Sequence, residues 1–201
     1  MNRSDREAWA SARTLADLGE LTARWLEGSL ASQPGYQVGC GPAPETERLI
    51  PVLVQFNRAG FMTDGSQPGS LDGGGESGQR AAVEGFAAQD VALKLIAAAS
   101  RAGLHVIAYP PSMTPRWRVR YDDAVPVTRR HGDGVTWFGA ARPRRDLRDF
   151  HVGYGICGPA AVAALCDAWQ VTVIDVQWGR NSVLWDALSA ALAVAGSEAR
   201  P

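Results

Sequence analysis

Residues Gly60 to Phe86, GFMTDGSQPGSLDGGGESGQRAAVEGF, restrict the folds open to this chain more than any other stretch. Two strand-like segments, Phe61 to Gln67 and Gln79 to Phe86, flank eleven residues that contain five glycines and a proline. Such a composition makes a loop, because glycine and proline punctuate regular structure. The segments are therefore expected to pair as an antiparallel ribbon. With Ser66 opposite Arg80, alternation along the strands puts Met62, Asp64 and Ser66 on one face with Arg80, Ala82 and Glu84. Phe61, Thr63, Gly65, Ala81, Val83 and Gly85 form the other face, small and apolar enough to be covered. The polar face then gathers two acids, an arginine and a hydroxyl beneath the loop, where it serves either as a recognition surface or as an ordinary solvated face.

The rest of the chain supplies what would cover that ribbon. Thr14 and Asp17 have capping-box spacing ahead of Leu15, Leu18, Leu21, Trp25 and Leu26, which recur at helical steps until Gly28; Ser4 and Glu7 repeat the device before Trp9. Residues 29–44 hold three prolines and three glycines and form a connector. A helix is expected over residues 45–59, stopped by Gly60, with Pro51 kinking it or marking a later start. Residues 89–102 read as an Ala-rich helix closed by Gly103, and residues 104–109, LHVIAY, as a buried strand stopped by Pro110 and Pro111. The strand–helix–strand order places this strand parallel to residues 79–86. A hairpin follows, residues 125–130 and 135–140 around His131-Gly132-Asp133-Gly134. A helix over 159–168, a strand over 170–176 and a helix over 181–195 complete the pattern. The expectation is a single α/β domain over residues 1–201: a mainly helical part, 1–60, and an α/β part, 61–195, with a mixed sheet of about five or six strands and flanking helices.

Composition narrows the function classes. The formal net charge is −1, so no global field draws the chain to nucleic acid or membrane. Residues 116–148 nonetheless hold nine Arg against four Asp, a local balance of +5. Arginine outnumbers lysine nineteen to one, a bias typical of GC-rich coding, which weakens any reading of Arg as a phosphate signal. Cys40, Cys157 and Cys166 are odd in number and lack C-x-x-C spacing, against a disulfide framework and a structural zinc site. No run of 18 apolar residues occurs, and the start of the chain lacks an apolar signal segment, so a soluble cytoplasmic protein is expected. No His, Cys, Asp and Glu cluster has ligand spacing, so neither metal nor cofactor is expected.

Two further stretches carry chemistry. Residues 153–158, GYGICG, match G-x-G-x-x-G literally and lead into a helix, with Asp175 ending the next strand; the fingerprint also needs an apolar strand before its first glycine, and residues 148–152 are a poor one. A tight turn before a helix, with free N–H groups for an anion, is the alternative. Cys157 lies just before that helix, where the dipole favours a thiolate and where His151, His105 or His131 could approach; the plain reading is a small buried residue in a turn. Arg116, Trp117, Arg118 and Arg120, with Tyr121, have the composition that stacks on single-stranded bases, and the same alternation suits a half-buried strand.

The blocks Trp9–Gly28, Asn57–Gly69 (NRAGFMTDGSQPG), Gln79–Phe86 and Ala168–Arg180 (AWQVTVIDVQWGR) resemble an actinobacterial family of uncharacterised proteins, a domain of unknown function. That resemblance implies no activity, catalytic residue or cofactor. From the residues alone, the first expectation is a small polar or anionic ligand bound by Ser66, Gln67, Gln79, Arg80 and Glu84. One alternative is a hydrolase or transferase with Asp64 or Glu84 as general base. The other is a nucleic-acid accessory protein using residues 116–148.

Overall fold

A computed structural model describes residues 1–36, 39–73, 75–148 and 155–193. Its N-terminal part is helical for reasons visible at each helix end. Helix α1, Arg3–Ser11, is capped by the Asn2 side chain, which accepts from Asp5 N at 2.7 Å; the expected Ser4–Glu7 box does not form, and Glu7 instead pairs with Arg3 one turn away. Helix α2, Leu15–Leu26, has the expected box: Thr14 Oγ1 accepts from Asp17 N, and the Asp17 carboxylate accepts from Thr14 N and Arg13 N. Those backbone donors hold Asp17 below the usual carboxyl range. Pro51 marks a later helix start, since Pro44–Leu49 forms a 3₁₀ turn and helix α3, Ile50–Arg58, begins beyond it. Helices α2 and α3 touch backbone to backbone at Gly19, where a Cβ would lie 2.5 Å from Asn57 O. A side chain at Gly19 would force them apart.

Asn57 then joins the helical part to the sheet. Buried, it donates from Nδ2 to Leu53 O at 2.8 Å and to Thr63 Oγ1 at 2.7 Å, and its Oδ1 accepts from Thr63 N at 3.0 Å. This fixes strand β1, Phe61–Gln67, against the end of α3. The chain continues through the two-residue strands β2, Ser70–Leu71, and β3, Gly78–Gln79, into β4, Ala82–Ala87. Helix α4, Gln89–Arg101, leads to β5, His105–Tyr109; then come β6, Val125–Arg130, β7, Asp133–Phe138, the short α5, Arg144–Asp146, helix α6, Pro159–Cys166, β8, Trp169–Ile174, and α7, Val183–Ala193.

The α/β class holds, with its strands divided between two four-stranded antiparallel sheets where one mixed sheet was expected. The first has the order β1-β4-β8-β5, the second β2-β3-β6-β7. Strand β5 does run parallel to β4, but β8 lies between them and is antiparallel to both. The run from Gln79 to Phe86 is not one strand: it leaves the second sheet after Gln79 and enters the first at Ala82. At the hairpin, His131 and Gly132 both have positive φ, 51° and 87°, so the turn is two residues long and β7 starts two residues earlier than expected.

The helix-facing side of the first sheet, with Val83, Val171 and Val173, belongs to a large buried cluster that includes Trp9, Leu18, Phe56, Leu95 and Leu188. The opposite side puts Ala82, Ile107 and Ile174 into a smaller cluster with Val127 and Ala141 of the second sheet and its extension. Gln67 ties the sheets together where the chain crosses between them. Its Nε2 donates to Val127 O at 2.7 Å and Arg80 O at 3.0 Å, and its Oε1 accepts from Thr128 Oγ1 at 3.0 Å. Replacing Gln67 with Leu removes the side-chain donor to Arg80 O and the acceptor for Thr128 Oγ1, while Val127 O keeps Arg80 N at 2.8 Å, and is expected to cost about 1–3 kcal/mol. The urea midpoint of the variant measures this; an unchanged midpoint would show that water takes over the carboxamide's role.

Candidate functional site

The two ribbon segments do pair antiparallel, but a β-bulge sets their register. Thr63 faces Gly85, then Gly65 faces Glu84, leaving Asp64 as the extra residue; Ser66 lies opposite Val83 and not Arg80. The bulge keeps Asp64 beside Glu84 and turns Ser66 to the other side. A Cβ at Gly65 would lie 3.2 Å from Glu84 Cγ and 3.3 Å from Phe138 Cζ, so a larger residue there would press on both side chains.

The cation between the two acids is Arg142, from the stretch after β7. Its Nη1 donates to Asp64 Oδ2 and its Nη2 to Glu84 Oε1 at 2.7 Å, while Gly139 N donates to Glu84 Oε2 at 3.1 Å. Gln170 of β8 holds the Arg142 backbone by two hydrogen bonds, accepting from its N at 2.9 Å and donating to its O at 2.8 Å. All three charged side chains are mostly buried, 14–23% exposed. Burial works against the guanidinium charge, yet Asp64 and Glu84 outweigh it and hold Arg142 above its ordinary value. The carboxylates are thus engaged by Arg142 and a backbone amide in a joint between the first sheet and the stretch after β7, an arrangement that leaves a general base little freedom to take a proton.

Arg80 lies elsewhere. Its guanidinium carbon is 4.3 Å from the centroid of the Trp178 ring, and that of Arg129, from β6, is 4.5 Å from the same ring. Each arginine uses one Nη on a carbonyl, Arg80 on Pro126 O and Arg129 on Gly75 O of the glycine-rich loop. The two Nε atoms are buried without a hydrogen bond, and among the described residues no carboxylate forms an ion pair with either side chain. Asp175, near enough to act on Arg80, is paired with Arg180 at 2.6 Å. Burial lowers Arg80 below its ordinary value, the like charge of Arg129 lowers it further, and Asp175 offsets only part of this. Two cations therefore share one indole with no counter-charge in contact.

The expected ligand set does not converge. Gln67 is buried at the sheet crossing, Glu84 is in the Arg142 joint, and Gln79 sits in the second sheet with its Oε1 accepting from Ser70 Oγ at 3.1 Å. Ser66 lines a cleft of about 200 Å3 beside α2. Of the five, Arg80 alone belongs to the arginine pair, and Gln79 directly precedes it in the chain. Arg129 and Trp178 escaped sequence reasoning, as did Arg142; the only signal available for Arg142 was that two acids packed on one face require a cation.

Asp175 cannot serve a dinucleotide ribose as it stands, being fully buried and bonded by Gln177 N and Arg180 Nε. Residues 149–154, with His151 and the first two residues of GYGICG, lie outside the described residues. Cys157 is buried and burial pushes its thiol up to about 12, which fits the plain reading of a small buried residue in a turn better than a thiolate. Among the described residues no group of three or more His, Cys, Asp and Glu could hold a metal ion. Trp117 is 74% exposed with Arg116 5.5 Å from its ring centroid, whereas Arg120 lies near Asp122 and Asp123 and over Tyr109.

These features define an α/β protein of two antiparallel sheets, with a buried Asp–Arg–Glu bridge that pins the stretch after β7 onto the first sheet and an arginine pair on one tryptophan. The chain belongs to the family described as Domain of unknown function (DUF6919), which matches it over residues 4–195. Comparison with the curated proteins gives no match.

Removing one member of a buried charge set is costly because the others stay behind. Arg142→Met is expected to lose about 3 kcal/mol or more, and adding Asp64→Asn and Glu84→Gln to it should recover most of the loss. Denaturant unfolding of the single and triple variants tests this. A loss below about 1 kcal/mol would mean that the bridge behaves as a surface pair.

Proposed function

We propose that this protein binds a small anionic ligand, such as a phosphate ester or polycarboxylate, at Arg80 and Arg129. One observation carries the reading: two half-buried guanidinium groups lie against the Trp178 ring with no carboxylate partner. A folded chain ordinarily pairs buried charges, so an uncompensated pair favours an oxyanion that meets both guanidinium forks. The indole fixes their planes by cation–π contact, which limits the ordering needed on binding. The glycine-rich loop bears on the same place through Gly75 O and Ser77, whose hydroxyl accepts from His131 N at 3.3 Å. A cytoplasmic setting fits three cysteines that form no disulfide, and the arginine bias fits an actinobacterial source. Among the described residues no helix is long and apolar enough to cross a membrane.

The test is thermal unfolding with inorganic phosphate, pyrophosphate or citrate, against chloride at matched ionic strength. At least one polyanion should raise the melting temperature by several degrees, since a ligand at about a hundred times its Kd stabilises by about 2.7 kcal/mol. Arg129→Met should remove that rise while leaving the ligand-free protein equally or more stable, because a like-charge neighbour is gone. No anion-specific rise, or a rise that survives both Arg80→Met and Arg129→Met, would end the reading.

A second reading concerns Trp117, which with the adjacent Arg116 and the exposed Tyr121 offers stacking surface to a single strand. Polarisation titration with mixed-sequence DNA and RNA at about 50 mM salt should then show binding that falls steeply with added salt and weakens in Trp117→Ala. Absence of binding at that salt would remove it.

A further inference from the structure

We propose that the ligand of the arginine pair is an aromatic phosphate monoester, whose ring stacks on Trp137 while its phosphate meets Arg80 and Arg129. This rests on the anion binding proposed for that pair and adds the body of the ligand to its charge. Strand register puts one row of residues across the second sheet, on the face where Arg129 meets Trp178. Leu71 of β2 is opposite Gly78 of β3, Gly78 is opposite Arg129 of β6, and Arg129 is opposite Gly134 of β7. Directly opposed residues on antiparallel strands point to the same side, so Arg129 stands between two positions that have no side chain.

Each of those bare positions is covered by an apolar neighbour. A Cβ on Gly78 would lie 2.7 Å from Leu71 Cδ2, and one on Gly134 would lie 3.0 Å from Trp137 Cζ2 and 3.5 Å from Trp137 Cε2. Leu71 also rests on Gly179, the residue after Trp178, where a Cβ would lie 2.5 Å from its Cγ. Leu71 and the Trp137 ring thus lie over the strands on either side of Arg129, one spacing of about 5 Å away, and both remain 51% exposed. Trp137 is opposite Pro126, whose carbonyl accepts from Arg80 Nη1 at 3.3 Å, so the ring and both guanidinium groups are tied to β6. Two guanidinium groups match the charge of a phosphate monoester dianion, and the nearest exposed ring surface for its body is Trp137. An inorganic anion would leave Trp137 and Leu71 in water. A long alkyl chain would overrun the row, which ends at the edge strand β7.

Isothermal titration calorimetry of the full chain with phenyl, cyclohexyl and methyl phosphate tests the proposal, because the three share one head group. Phenyl phosphate should bind about tenfold more tightly than either of the others, the gain of one stacked ring. In Trp137→Ala the three affinities should agree to within about twofold, and Trp137→Phe, which keeps a ring, should restore most of the preference. Trp137 is half exposed, and an unchanged melting temperature checks that each variant folds. Equal affinities for the three esters, or a phenyl preference that survives Trp137→Ala, would overturn the aromatic ligand and leave anion binding at the arginines standing. No heat with any ester up to about 20 mM would overturn it as well, and stabilisation by inorganic polyanions then decides whether the arginine site falls with it.

Discussion

The carboxamide of Gln67 holds the point on which the rest of the architecture depends. Between Gln79 and Ala82 the chain leaves one sheet for the other, and at such a crossing backbone groups lose their ladder partners. Arg80 N recovers one by donating to Val127 O at 2.8 Å, and Asp175 N donates to Ala81 O at 2.8 Å. Gln67, at the end of β1 in the first sheet, supplies what is left, since its one side chain reaches the Arg80 carbonyl at the crossing and the Val127 carbonyl and Thr128 hydroxyl of the second sheet. An apolar residue could fill the same space but could not satisfy three polar groups. The crossing in turn places Arg80 on the face shared with Arg129, while Glu84, four residues later, points to the joint with Arg142.

The Asp64–Arg142–Glu84 joint does with charge what Gln67 does with neutral groups. Desolvating three charges opposes folding, and mutual attraction together with Gly139 N and Gln170 offsets it. Such a bridge contributes specificity of arrangement more than net stability. Residues 139–142 lie across β4 and β8 so that one guanidinium reaches both carboxylates at once. Gly139 allows the close approach: it has a φ of 92°, and a Cβ on it would lie 2.3 Å from Ile107 Cδ1.

Local features were legible in the sequence where a local cause fixes them. Thr14 and Asp17 announced α2, Gly60 the end of α3, and His131-Gly132 the hairpin, because caps and turns are settled within four residues. The α1 cap was misassigned since Asn2, Ser4 and their neighbours offer competing caps of similar strength. The register of the ribbon was not legible. A bulge at Asp64 is decided by Asn57 holding Thr63 on one side and by Glu84 with Arg142 on the other, and the latter is 78 residues away. The division into two sheets hides for the same reason, as nothing between Gln79 and Ala82 marks a crossing except its partners Val127 and Ala81–Asp175.

Charge accounting separates structural from functional groups here better than residue type does. The acids that drew attention in the sequence, Asp64, Glu84 and Asp175, each meet a guanidinium in the fold, and their geometry is explained by the joints they make. Arg80 and Arg129 are the reverse case, since their mutual repulsion and buried Nε atoms oppose folding and no carboxylate among the described residues pairs with them. Folding alone gives no reason to keep such a pair when Met or Leu would cover Trp178 equally well. On the proposed reading the missing counter-charge is the ligand's own, and this would give selection a reason to keep the pair.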